Sequence, residues 1–310
     1  MQILDSERMQ LINVAKMYYE ENLTQNEIAQ RLGVSRPLVS KMLTKARACG
    51  IVSITVNDNV MDDTNAVLLQ DLCQKFQLDG GLIIRNSGDF HDIIRQTAIY
   101  LAMESQSEYN LGLGWGAPLG YVVKEMANNA FKQSPGTVSP LIGRPPVSNG
   151  HYAINDMVKS MAQTLGRRSY SIEEKAFAVS REDKMVAENK SAYMGMLLKW
   201  RELDMAVMAV QNYPSSPDEA TEMRFGDVLR RQHAVGSFLS YFYNVHGDVI
   251  SGENDFTCRI SLADLRHCHK VYAIGYGAQV NSVMGALHTG LFTHVLLMEK
   301  QAREILEKSK

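Results

Sequence analysis

The sequence predicts two folds in one chain: a winged helix-turn-helix unit at the N-terminus and a larger α/β unit on a mostly parallel sheet. Three observations predict this. The chain has 310 residues, longer than most single domains. Residues 28 to 57 contain no acid, yet carry Arg31, Arg36, Lys41, Lys45 and Arg47. From residue 79 onward, short apolar runs alternate with helical patterns. The expected division is 1–57 for a DNA-binding domain, 58–78 for a linker helix and 79–310 for an effector-binding and oligomerisation domain.

Within the basic run, Thr24 followed by Glu27 forms a capping box that starts a short helix. Ile28, Ala29 and Leu32 give that helix an apolar face, and Gly33 ends it in a left-handed conformation. Ser35 caps a second helix, and Pro37 fits its first turn. Val34, Leu38 or Val39, Met42 and Leu43 supply its buried side. Two short helices around a Gly-containing turn are a helix-turn-helix signature. Arg36, Ser40, Lys41 and Lys45 then project toward a partner, with Thr24, Gln25, Ser35 and Pro37 at the helix starts beside them. Such a helix suits the major groove, its first turns reading base edges and its later basic residues meeting phosphates. Residues 7 to 21 predict a preceding helix with Leu11, Ile12, Ala15, Tyr18 and Tyr19 inward. GIVSITV (50–56) alternates like a strand of a wing.

The segment YYEENLTQNEIAQRLGVSRPLVSKMLTKARACGIVSITV closely resembles the DNA-binding domain of the SorC family of bacterial transcriptional regulators. The resemblance implies a C-terminal sugar- or sugar-phosphate-binding domain with a sugar-isomerase-like α/β fold, and a homotetramer.

NVMDDTNAVLLQDLC (59–73) has a polar start leading into a helix whose apolar positions, Val67, Leu68 and Leu72, suit packing or a linker role. Expected strands beyond it are 81–85, 110–115, 138–142, 205–210, 270–275 and 293–298. Expected helices lie near 91–106, 118–129, 151–165, 186–200, 226–243, 278–288 and 299–308. Apolar strands separated by helices mean a parallel sheet covered on both faces. Ligands of such sheets bind outside the carboxyl ends of the strands. LGLGWGAP (111–118) places Gly112, Gly114 and Gly116 at one such end.

GLGWG, HAVGSFLSYFYNVHGDVI (233–250), AIGYGAQVNSVMGAL (273–287) and THVLLMEKQAREIL (293–306) also resemble SorC-family blocks. The resemblance implies an effector site at Gly114, Trp115, Gly116, Arg144, Gln211, Ser237 and Gln279. Several of these depart from the family pattern. Ser237 stands where relatives hold Asp, Gln279 where they hold Lys, and Pro118 where they offer a Thr hydroxyl. Gln211 ends a strand that reads IVGIG in relatives. Uncharged replacements favour a polyol or free sugar, whereas Arg144, where relatives carry Gly, offers a phosphate a new bidentate partner. A domain that has lost its effector and only oligomerises is the third reading.

An isomerase-like enzyme is the rival to a regulator. Proton transfer needs a positioned base, and no carboxylate–histidine group stands at a supporting spacing. There is no GxSxG and no GxxxxGK[ST]. GLGWG is GxGxG, not GxGxxG, and Trp115 crowds the approach a pyrophosphate needs, so no nucleotide cofactor is expected. His267, Cys268 and His269 lack metal-ligand spacing, so no metal is expected. The sequence is 45% hydrophobic and 21% charged, with a formal net charge of −2, so nucleic-acid affinity must come from a local patch. Four scattered cysteines fit a reducing compartment. With no leader pattern and no membrane-length apolar run, a cytoplasmic protein away from the membrane is expected.

Overall fold

The computed structural model describes residues 5–19, 21, 23–49, 51–52, 63–85, 89–146, 153–214 and 219–309. The chain divides into two compact units, Met1–Val60 and Met61–Lys310.

The first unit holds α1 (Asp5–Tyr19), α2 (Gln25–Leu32) and α3 (Arg36–Ala48). Val14 of α1 packs with Ile28 and Ala29 of α2 and with Val39 and Leu43 of α3, while Leu11 and Ala15 of α1 pack with Ala46 of α3; all are buried. The inward choice between Leu38 and Val39 falls to Val39, at 0% exposure against 44% for Leu38. Tyr19, expected inward, is exposed, and Val14, outside the expected set, is buried. The α2–α3 turn is a Schellman motif: the Val34 amide donates to the Ala29 carbonyl and the Gly33 amide to the Gln30 carbonyl. Gly33 has φ 64°, ψ 32°, the left-handed geometry that Cβ-bearing residues resist. The expected wing strand lies, from Ser53 on, outside the described residues.

The second unit opens with α4 (Asp63–Phe76), β1 (Gly80–Ile84), α5 (Phe90–Glu104), β2 (Asn110–Leu113), α6 (Ala117–Ala127) and β3 (Thr137–Pro140). Then come α7 (Ile154–Leu165), β4 (Arg168–Ser169), α8 (Arg181–Glu188), α9 (Ser191–Arg201), β5 (Met205–Ala209) and β6 (Gln211–Asn212). The chain continues with α10 (Glu219–Phe225), α11 (Val228–Arg231), β7 (Ala234–Phe238), β8 (Tyr241–Asn244) and β9 (Val249–Ile250). It ends with α12 (Leu262–His267), β10 (Lys270–Ile274), α13 (Val280–His288), β11 (His294–Met298) and α14 (Glu299–Lys308).

The main sheet is parallel in all its pairings, in the order β1-β11-β10-β5-β2-β3-β4. Its inner strands are buried on both faces, as the continuous apolar runs require, whereas the edge strand β4 is exposed. Leu113, Val207, Ile274 and Leu296 face α5, α6 and α7, whereas Met208, Ala273, Val295 and Leu297 face α4, α9, α13 and α14. From β2 the chain winds one way through β3 and β4, and from β5 the other way through β10 and β11. The order therefore reverses between β2 and β5, and crevices open at such a switch point.

The helix expected over 226–243 is overturned. Only α11 lies there, and the rest belongs to a second, antiparallel sheet, β6-β7-β8-β9. Phe238 and Tyr241 are joined by Leu239 (φ 45°) and Ser240 (φ 64°), two positive-φ residues that make the hairpin turn which suits the twist of the strands. Tyr241, Phe242 and Tyr243, inside that range, lie on β8. The single helix expected over 186–200 is two, α8 and α9, parted at Asn189–Lys190.

Candidate functional site

The first unit carries the residues expected to meet DNA, on and around α3. Thr24 Oγ1 accepts from the Glu27 amide at 3.3 Å, and Glu27 Oε2 accepts from the Thr24 amide at 2.8 Å, completing the capping box. The backbone bond from Thr24, with its hydroxyl bond, holds the Glu27 carboxyl below its ordinary range. Ser35 has the extended backbone of an N-cap but makes no side-chain capping bond. Val39, Leu43 and Ala46 fill the inner side of α3, so Ser35, Arg36, Pro37, Ser40 and Lys41 are exposed and Lys45 is half-buried. Arg36 shares a shallow groove with Thr24, Gln25 and Tyr18. Arg36 thus shares one surface with Thr24 and Gln25, and α3 itself carries no acid.

The second unit holds a cavity of about 220 Å³ at the β2/β5 switch point. Gly114, just past β2, donates its amide to the Val207 carbonyl at 2.8 Å, which clamps the two switch-point strands together. Gly116 has φ 125°, ψ 154°, a region open essentially to glycine alone. A Cβ built there would lie 3.3 Å from Gln211 Nε2. The turn thus delivers Trp115 to one wall of the cavity while β6, just past β5, delivers Gln211 to another. Gln211 on β6 stands opposite Ser237 on β7, which lines the same space.

Two sequence-derived residues lie elsewhere. Arg144 is exposed and does not line the cavity: its Nε donates to the Glu173 carbonyl at 3.0 Å. Gln279 is the exposed N-cap of α13, and its backbone, not its side chain, is engaged, donating to Asn212 Oδ1 at 2.7 Å.

The cavity also takes residues that sequence reasoning missed. Asn212 and Tyr213 follow Gln211, and Thr221 and Glu222 come from α10. Phe177 and Ser240 add further wall, alongside Phe242 of β8. The adjacency of Gln211, Asn212 and Tyr213 just past a strand end was the available signal; Phe177 sits in an irregular stretch that offers none.

Behind the cavity, the Arg224 guanidinium is nearly inaccessible and donates to Ser240 Oγ at 3.0 Å and Thr221 Oγ1 at 3.1 Å. It also meets Asp255 and lies 4.0 Å from the centre of the Phe177 ring. Arg259 donates to Asp255 Oδ2 at 2.5 Å and stacks on Tyr241 at 3.5 Å. Tyr243 donates to the Ser282 carbonyl at 3.0 Å, and burial pushes its phenol well above the usual range. Polar side chains facing the space are thus fixed from behind. Among the described residues no group of three or more acids, histidines or cysteines is placed to hold a metal.

A compact helix-turn-helix joined to a parallel α/β unit with a polar switch-point cavity defines a DNA-binding protein of the ligand-responsive class. Known proteins agree. Residues 63–307 match the family model described as "Putative sugar-binding domain", and residues 7–49 match that of sigma-70 region 4. The sorbitol operon regulator of Klebsiella pneumoniae is 25% identical over 96% of this chain and 97% of its own. The deoxyribonucleoside regulator of Bacillus subtilis is 26% identical over 98% and 99%. The crystal structure of the full-length sorbitol operon regulator from Klebsiella pneumoniae superposes with a TM-score of 0.77 at 22% identity, covering 98% of this chain and 100% of that one. A transcriptional regulator from Streptococcus pneumoniae gives 0.69 at 19%, over 80% and 98%. The chain belongs to the SorC family of sugar-binding transcriptional regulators.

Proposed function

We propose that the protein controls a carbohydrate-utilisation operon by coupling operator binding to a carbohydrate effector held in the switch-point cavity. The observation that carries this reading is the convergence of Trp115, Gln211 and Ser237 on one cavity behind the Gly-rich turn, in the same chain as an exposed basic recognition helix. Aromatic rings offer an apolar face to a sugar, and amides and hydroxyls meet its hydroxyl groups. The regulators similar to it are named for sorbitol and deoxyribonucleosides, which fits an effector of that chemistry.

A single helix-turn-helix reads one half-site, so specific affinity comes from pairing half-sites through a homo-oligomer. A homotetramer is the assembly the family resemblance implies. The effector changes DNA affinity only by binding the DNA-competent and incompetent arrangements differently. This reading assigns the cavity no turnover. No helix among the described residues is long and apolar enough to cross a membrane, which fits a protein that meets DNA and a dissolved effector together.

Selection from a random-sequence duplex library with the purified full chain tests the reading. A recovered consensus with two related half-sites is expected, and an effector from a panel of sugars, alditols and their phosphates should shift affinity for it. Recovery of no consensus, or conversion of a sugar phosphate in the absence of DNA, would sink it.

A further inference from the structure

The features that recognise a phosphate at the mouth of a parallel sheet are cations, helix N-terminal amides and positioned hydroxyls. Around this cavity the cations are already engaged within the protein, and each of two helix N-termini has one amide taken or missing. Among the described residues lining it, none is Lys, Arg or His, and the one acid is Glu222. The nearest guanidiniums serve as walls. Arg224 is 5% exposed, bonded to Thr221, Ser240, Asp255 and Thr257 and covered by the Phe177 ring; Arg259 is held between Asp255 and Tyr241.

The helix ends follow the same pattern. At the N-terminus of α13, a nine-residue helix, the Gln279 amide is taken by Asn212 Oδ1 at 2.7 Å, and the Ser282 hydroxyl lies 3.0 Å from the same oxygen. Asn212 sits on β6 and lines the cavity, so a neutral carboxamide occupies the position an anionic oxygen would take. At the start of α6, Pro118 removes one of the first-turn amides. What faces the space is Trp115, Phe177, Tyr213 and Phe242 for stacking, with Gln211, Thr221, Ser237 and Ser240 for hydrogen bonds.

We propose that this cavity selects an uncharged polyhydroxy compound, a free sugar or sugar alcohol, over its phosphorylated form. The inference rests on the proposed function above and deepens it. A dianion entering here meets Glu222 and no unengaged cation of the described lining, and it leaves bulk water without a charged partner. A neutral polyol exchanges water for amide and hydroxyl partners and gains the aromatic faces.

The test is calorimetric titration of the full chain with matched pairs: pentoses, hexoses and alditols against their terminal phosphates, with inorganic phosphate alone. At least one neutral compound is expected to bind tenfold or more tightly than its phosphate, with an affinity insensitive to salt between 50 and 300 mM, on the order of the range that screens exposed charges. Trp115→Ala and Gln211→Ala should each weaken it tenfold or more. A second variant, Asn212→Gly, frees the Gln279 amide and should narrow the gap between the pair. A phosphate that outbinds its parent, or a panel with no neutral binder, overturns the proposal. If that phosphate loses affinity in Trp115→Ala, the cavity remains the effector site and only the ligand class falls. Unchanged binding in both wall variants means that the site itself is elsewhere.

Discussion

Arg224 and Asp255 form an ion pair behind the switch-point cavity, Nη1 to Oδ1 at 3.3 Å, with side chains 5% and 9% exposed. Asp255 also accepts from Arg259 and from the Thr257 hydroxyl, so one carboxylate joins α10, the β7–β8 turn through Ser240, and the segment before α12. Breaking a buried pair from one side leaves charge without compensation and costs about 3–5 kcal/mol. Asp255→Ala is therefore expected to lower unfolding stability by that amount, read by urea denaturation of the α/β unit's tryptophan signal. A loss under about 1 kcal/mol would show the pair to be incidental.

Arg36 and Lys41 are exposed on α3, opposite its packed side of Val39, Leu43 and Ala46. Neither contributes to the packed core, so Arg36→Ala and Lys41→Ala should leave folding and assembly unchanged. Removing a side chain that meets a phosphate weakens binding across sequences and lowers the slope of log affinity against log salt by about 1. A side chain that reads a base instead costs about 1–3 kcal/mol and relaxes the preference at one position. Fluorescence anisotropy on the selected duplex at several salt concentrations separates the two. Wild-type affinity in both variants would remove α3 as the reading helix.

His294 is 8% exposed, its ring 4.5 Å from the Tyr272 ring centre and its Nδ1 2.8 Å from Thr293 Oγ1. Burial holds its pKa below the ordinary 6.5, with nearby Lys270 acting in the same direction and Asp79, Glu104 and Glu108 opposing. A base with a depressed folded pKa binds its proton more readily when unfolded, so stability rises with pH through this range. The contribution is complete above about pH 6.5 and is lost as pH falls through that value toward the folded one. Thermal unfolding from about pH 7.5 to 5 should show a decline that His294→Gln reduces. An identical decline in the variant would assign the effect to other groups.

Much of this was legible in the sequence, for identifiable reasons. The capping box at Thr24, the left-handed Gly33 and the six main strands rest on local chemistry or continuous apolar runs, and both survive translation into structure. The β7–β8 hairpin was not legible, because its positive-φ positions are filled by Leu239 and Ser240 instead of the Asn-Gly that announces such turns. Residues 233–243 also hold enough apolar side chains to imitate a helix face. At the cavity, Trp115 and Gln211 were reachable because each follows a strand end, whereas Ser237, placed in the helix expected over 226–243, was reached only through the family resemblance. Arg144 and Gln279 were drawn in by position along the chain, yet one turns to Glu173 and the other engages through its backbone. The support from Arg224 and Asp255 joins residues 31 apart in sequence, which periodicity cannot reach.

The Gly-rich turn offers a paired test of shape against side-chain chemistry. Gly116 at φ 125°, ψ 154° occupies a region that costs a residue with a Cβ on the order of 1–3 kcal/mol. Its added Cβ would also lie 3.3 Å from Gln211 Nε2, tight enough to move that side chain. Gly116→Ala should therefore lose stability and effector affinity together. Gln211→Ala deletes the carboxamide while leaving the backbone unstrained, and should lose affinity with little change in unfolding. Measured side by side, the two variants separate the turn's conformational requirement from its role in aiming Gln211. Equal stability in both would mean that the turn relaxes around a Cβ and does not need its glycine. Unchanged ligand binding in Gly116→Ala would mean that Gln211 is aimed by β6 alone, through its pairing with Ser237.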